Sequence, residues 1–321
     1  MSIEIRHITH IQSISQHGSF TKAAESLGLT QSALSRSIIN LEEELKVTLF
    51  ERGRGKLNIT PLGELVLKRG QRVLIELDDL QQEIENFKGH SGGHVNAAFE
   101  AGASHLIMGD LLVNLHKNHP DIHVNSTTGA PSILIKDTLK GDYDILISPT
   151  SYVYGVKGIA VEVGKTFQAR VIVRADHPLT QLANANLGDI LRYPYVGYKF
   201  SPSLYEHWAV DPSVKMTPAT LHDNLDEINT DNIPSICKIL METDAFTWGI
   251  ASFFPEELLA GKLVLLDLPN TPIEIEVGIS YPANRYLPPA VQAFKEETNR
   301  QLHLLFEKEE ELVRCIAHPK D

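Results

Sequence analysis

FTKAAESLGLTQSALSRSIINLEEELKVTLFER, residues 20–52, decides how the first part of the chain is read. Between Thr21 and Leu27 the residues Ala23, Ala24 and Leu27 share one side of a short helix. Gly28-Leu29 turns the chain, and Thr30 supplies a side-chain oxygen where a new helix needs a cap. Beyond it Ala33, Leu34, Ile38 and Leu41 form an apolar stripe at helical spacing. Short helix, glycine turn, second helix is the order of a helix-turn-helix, although the spacing fits other small helical bundles equally well. Upstream, Ile5, Ile8, Ile11 and Ile14 give one more helix an apolar face that stops before Gly18. Downstream, LFERGRGKLNIT at 49–60 has glycines for a tight reversal and alternation at Leu57 and Ile59, so it predicts a basic hairpin, or wing.

From Pro61 to residue 88 the sequence predicts one long helix, with Thr60 as its cap. Its apolar positions Val73, Leu77, Leu80, Ile84 and Phe87 are spaced 4-3-4-3, the pattern of a coiled-coil seam. So narrow a seam on so polar a helix predicts dimerisation through it, the alternative being packing on the chain's own body. HSGGH at 90–94 reads as a joint. After it strands and helices alternate: HVNAAF, a helix near 104–118, DIHVNST, a helix near 132–140, then YDILISP. A second such run begins at QARVIVRADHPL, and a long helix starts at Pro288 or Pro289. Alternation of this kind predicts a parallel sheet covered by helices.

The length, 321 residues, calls for two or three domains, and 42% hydrophobic with 22% charged residues is ordinary for a globular protein. No apolar run is long enough to span a bilayer, and the N-terminus lacks the pattern of a signal peptide, so a cytoplasmic protein without a membrane partner is expected. Cys237 and Cys315 form no CxxC pair, which argues against a zinc ribbon or a disulfide framework. Net charge is −12, but residues 1–88 carry only −1 of it. A small DNA-binding head on an acidic body is compatible with that distribution. Motifs for catalysis are missing: GKT at 164–166 has Ile159 where a phosphate loop needs glycine, and the pairs His7/His10 and His116/His119 lack further ligands at known spacing. No enzyme activity, cofactor or metal is expected.

Residues 20–52, together with TPLGELVL after them, closely resemble the DNA-binding head and linker-helix start of the LysR-type bacterial transcriptional regulators. Past residue 95 the resemblance is looser, carried by strand order, ADHPL at 175–179 and GIASFFP at 249–255. It implies a mixed fold: an N-terminal all-α winged helix-turn-helix with a long linker helix, then a two-lobed α/β domain like a periplasmic binding protein. The implied division is 1–60 for the DNA-binding domain, 61–88 for the linker and dimerisation helix, 89–93 for the hinge and 94–305 for the effector domain. Lobe one would take 94–166 and 271–305, lobe two 167–270. Residues 306–321, EKEEELVRCIAHPKD with its preceding phenylalanine, read as a solvated acidic extension. The family often has Gly-x-Gly-Ile-Ala before the last strand of lobe two; here Thr247 replaces the first glycine, so TDAFTW at 243–248 must shape that wall differently.

The chemistry assigns candidates to each role. Gln31, Ser32, Ser35 and Arg36 lie at the start of the second helix of the motif, and glutamine and arginine can pair bidentately with adenine and guanine. Thr21 and Lys22, with Arg52, Arg54 and Lys56 in the wing, suit phosphate contacts. In the effector domain, Gly102, Ser104 and His105 open a helix whose free N–H groups favour a carboxylate. Thr127, Thr128, Pro149 and Thr150 follow strand ends, and Tyr198, Lys199 and Phe246 are wall candidates from lobe two. The expected partners are double-stranded DNA with a pseudopalindromic operator, a small-molecule effector with an anion as the candidate, and further copies of the chain. The resemblance implies a tetramer and allows contact with RNA polymerase. The competing readings, a small-molecule binding protein without DNA function and an α/β enzyme, have less in the sequence to support them.

Overall fold

The computed structural model describes residues 3–52, 57–87, 92–182, 185–198, 208–225, 228–267 and 273–318. The head holds three helices, α1 (Ile5–His17), α2 (Phe20–Ser26) and α3 (Gln31–Leu45), then the hairpin strands β1 (Phe50–Arg52) and β2 (Leu57–Ile59). Gly28, at φ +66°, makes the left-handed turn before α3 that a side chain would strain. Thr30 then caps α3, its Oγ1 accepting the Ala33 amide at 3.2 Å. Ile11, Ile14, Ala23, Ala24, Leu34, Ile38 and Leu41 close one core with Leu49 and Phe50. Two residues leave the expected stripes: Ile5 is 49% exposed, and Ala33 faces solvent while Ser35 turns inward. The wing is tied to α3 by the Glu42 carboxylate, which accepts the Leu49 and Phe50 amides.

Helix α4 (Pro61–Phe87) starts against this core and then leaves it. At Gly63 an added Cβ would lie 2.3 Å from the Leu49 carbonyl oxygen, and at Gly70 2.4 Å from the Ile8 side chain, so two glycines let the first turns settle on the wing and on α1. Farther along, Val73, Leu80 and Ile84 are 46%, 51% and 46% exposed.

The rest is organised by a seven-stranded sheet of β3 (Gly93–Glu100), β4 (Ile122–Gly129), β5 (Ile145–Pro149), β6 (Ile159–Arg174), β9 (Thr247–Gly249), β10 (Leu263–Leu266) and β11 (Ile273–Pro282). A separate pair joins β7 (Val196–Gly197) to β8 (Ile228–Asn229). The order is β10-β6-β11-β5-β3-β4, with β9 also beside β6. Strands β3, β4 and β5 run parallel, whereas β11 is antiparallel to both β5 and β6. The 16-residue β6 is shared: its first part pairs with β11, its last with β9 and β10. Along it and β11 the chain crosses between two lobes with separate cores, Phe99, Ile147 and Phe294 in one and Trp208, Phe246 and Trp248 in the other. Gly164, from the GKT triplet, sits at a register shift against Val277 and Gly278, where a Cβ would meet Leu302 at 2.5 Å; it serves a β-bulge.

The C-terminal helix (Pro289–Ala317) corrects the expectation of a solvated extension. Leu312, Val313 and Ile316 pack on Ala251, Phe254 and Leu258 of lobe two. The buried Glu309 carboxylate accepts the Ala251 and Ser252 amides at 2.8 and 2.7 Å. Apolar residues interleaved among the glutamates give this acidic segment a face to bury.

Candidate DNA interface and effector cleft

At the start of α3, Gln31, Ser32 and Arg36 are exposed, and Thr21 and Lys22 are exposed in the first turn of α2. Ser35 departs from the expectation: it is only 9% exposed, and its hydroxyl accepts a hydrogen bond from Gln31 Nε2 at 2.9 Å. It holds Gln31 rather than pointing outward. Arg54 and Lys56 lie outside the described residues, as do the side chains of Arg52 and Phe87.

Between the lobes lies a cavity of about 520 Å³. Lobe one contributes Glu100, Gly102, Leu106, Pro149 and Tyr152; lobe two contributes Tyr195, Tyr198, Trp248 and Phe253; and the crossing strands add Phe167, Ile273, Glu274 and Ile275. Of the residues picked from the sequence, Gly102, Pro149 and Tyr198 are thus brought together. Lys199 lies outside the described residues.

The others are elsewhere. Thr128 donates to the Ser104 hydroxyl at 3.0 Å, a contact within lobe one, and Thr127 and His105 are exposed beside it. Thr150 is buried and its hydroxyl donates to the Glu276 carboxylate across the sheet. Phe246 is wholly buried, with ring centroids 5.5 Å from Tyr195 and 5.0 Å from Trp248, so it is core behind the wall. Thr247, the departure from the family pattern, is buried beside Gly197, where an added Cβ would sit 3.0 Å from its hydroxyl and 2.5 Å from the Tyr195 hydroxyl. The bare Gly197 lets Tyr195 donate to the Tyr198 carbonyl at 2.8 Å.

The largest correction concerns charge. The amides of Gly102 and Ala103, expected to be free for an anion, donate to the protein's own Glu100 carboxylate at 3.0 and 3.2 Å. Glu100 is 4% exposed. Burial pushes its carboxyl up, the two amides and the nearby Tyr198 hydroxyl pull it back, and the charge of Asp231 adds to the rise. Burial, and after it Glu100, also pushes the Tyr152 phenol up to about 12. The Tyr198 hydroxyl is buried without a hydrogen bond of regular geometry among the described residues. In sequence a carboxylate that ends a strand reads as a solvated charge, and the signal for Glu100 is its position directly before a helix start.

Among the described residues no group of three His, Cys, Asp or Glu could hold a metal ion, and no helix is long and apolar enough to cross a membrane.

Comparison with known proteins agrees with this architecture. Residues 5–64 match the model of the bacterial regulatory helix-turn-helix proteins of the lysR family, and residues 88–302 match the LysR substrate binding domain. The probable HTH-type transcriptional regulator LrrA of Synechococcus elongatus is 32% identical, covering 63% of this chain and 70% of that protein. A probable RuBisCO transcriptional regulator of Porphyra purpurea is 23% identical over 89% of this chain and 90% of its own. Among solved structures, a full-length OxyR variant from Pseudomonas aeruginosa superposes with a TM-score of 0.66 at 18% identity, covering 93% of this chain and 98% of that one. CbnR complexed with its target DNA gives 0.58 at 16% identity, covering 93% and 100%. With the head and the two-lobed body both matched, the chain belongs to the LysR family of DNA-binding transcriptional regulators.

Proposed function

We propose that the protein reads a pseudopalindromic operator as a dimer joined through α4, and that an effector in the interlobe cavity biases the assembly between two arrangements. The observation that carries the reading is the exposed polar start of α3, where Gln31, Ser32 and Arg36 face solvent. Arg36 and Gln31 read base edges, while Thr21, Lys22, Arg52, Arg54 and Lys56 contact phosphate. The exposed apolar row Val73, Leu80 and Ile84 supports a partner helix along α4. In this reading residues 1–60 bind DNA, 61–88 dimerise, 89–93 hinge and 94–305 bind effector. A tetramer built from two such dimers, contact with RNA polymerase and a cytoplasmic location complete it. Mobility shift with the DNA upstream of its own gene tests the proposal. A retarded complex that weakens in the Arg36→Ala variant is expected; an identical shift on unrelated DNA would overturn operator recognition.

A further inference from the structure

Lobe one presents to the cavity a helix start whose first amides are already taken by Glu100. A ligand carboxylate would find none of those donors free and would face Glu100 itself, with Glu274 lining the same space. Among the described lining residues there is no lysine, arginine or histidine to offset that charge. The remaining surface is mostly apolar and aromatic, including Phe167, Trp248 and Phe253. Aromatic faces attract cations and repel anions, and a charge taken from water needs a partner. Glu100 is such a partner, held rigidly by two backbone bonds. Gly102 keeps the approach open: an added Cβ there would stand 3.1 Å from Glu100 Oε2, 3.1 Å from the Tyr198 hydroxyl and 3.3 Å from Phe253.

We propose that the effector is an organic amine, whose protonated nitrogen pairs with Glu100 in the interlobe cavity and whose apolar body lies against the aromatic wall. The inference rests on the reading of that cavity as the effector site. It replaces the small acid that a bare helix start would have selected. At Gly102 the Glu100 carboxylate of lobe one and the Tyr198 hydroxyl of lobe two come together, each 3.1 Å from the same Cβ position, so a cation seated there contacts both lobes and favours the arrangement in which they meet.

The test uses the full-length protein and matched probes that differ in head charge: 2-phenylethylamine, 3-phenylpropanoate and 2-phenylethanol, with hexylamine and hexanoate as a second body. Tryptophan fluorescence reads the cavity through Trp248, and calorimetry gives affinity. Each amine is expected to bind at least tenfold tighter than its carboxylate. Glu100→Gln, which keeps an oxygen for the Gly102 and Ala103 amides, should erase that preference while unfolding remains cooperative. Equal or tighter binding of the carboxylates, or an amine preference unchanged in Glu100→Gln, overturns the charge assignment but leaves the cavity as a ligand site. No response to any probe removes the cavity reading and the amine proposal together.

Discussion

At the scale of single residues, exposure separates reading from support in the head. Arg36 is exposed and makes no contact on which the core of the head depends, so Arg36→Ala should leave thermal unfolding unchanged. A bidentate base contact is worth about 1–3 kcal/mol, and operator affinity should fall by that amount, measured by fluorescence anisotropy at fixed salt. Ser35→Ala acts differently, because Ser35 is buried and only orients Gln31. Its loss should cost about 0.5–1.5 kcal/mol, the worth of one hydrogen bond. The sequence showed the helix start, the cap and the polar group at 31–36, all of which are local. Which side chain of that group turns inward depends on how α3 rolls against α1 and α2, and periodicity does not contain that. Phe246 and Thr150 failed for the same reason. Their positions follow from pairing with distant segments, Phe246 bridging Tyr195 and Thr150 bonding Glu276, and neither contact leaves a mark in the neighbouring sequence.

Among the elements, the two long helices carry opposite lessons about amphipathic pattern. In α4 the 4-3-4-3 row was legible from spacing, and three of its residues stand exposed on a single chain. Leu80→Arg places a charge in the middle of that row; sedimentation should show loss of the dimer, and operator binding should weaken with it because the two heads no longer bind as a unit. An unchanged sedimentation coefficient would exclude α4 from the interface. The C-terminal helix was misread because its many glutamates outweighed Leu312, Val313 and Ile316. Glu309 reaches from it to the amides of Ala251 and Ser252, at the base of the turn that carries the cavity residue Phe253. Glu309→Ala strips two buried amides of their acceptor and should destabilise the body by about 2–4 kcal/mol in chemical denaturation. Glu309→Gln, which keeps one acceptor, should recover part of that loss; equal stability of all three proteins would show that the contact adds nothing.

On the scale of the whole molecule, the two lobes meet across a carboxylate whose burial works against its charge. The groups facing Glu100 are the hydroxyls of Tyr152 and Tyr198 and the carboxylate of Asp231, with Glu274 on the same cavity wall. Because folding raises the Glu100 carboxyl above its ordinary value, the folded state binds its proton more tightly than the unfolded chain does. This group therefore favours the folded state most when protonated, and that advantage is lost as pH rises through the folded value. Once ionised, the carboxylate is a liability kept in the cavity, as strained or charged groups at binding sites often are. Glu100→Gln removes the ionisation but retains the cap on Gly102 and Ala103. The variant should therefore unfold at a higher temperature than the parent at pH 7. Its advantage should shrink as pH falls toward the ordinary carboxylate value near 4.5, where the parent becomes protonated as well. Thermal unfolding of both proteins from pH 4 to pH 8 measures the difference directly. A gap that stays constant over that range would mean that folding leaves the Glu100 carboxyl at its ordinary value, and a gap that widens toward acid would mean that its carboxylate is stabilised by the lobes.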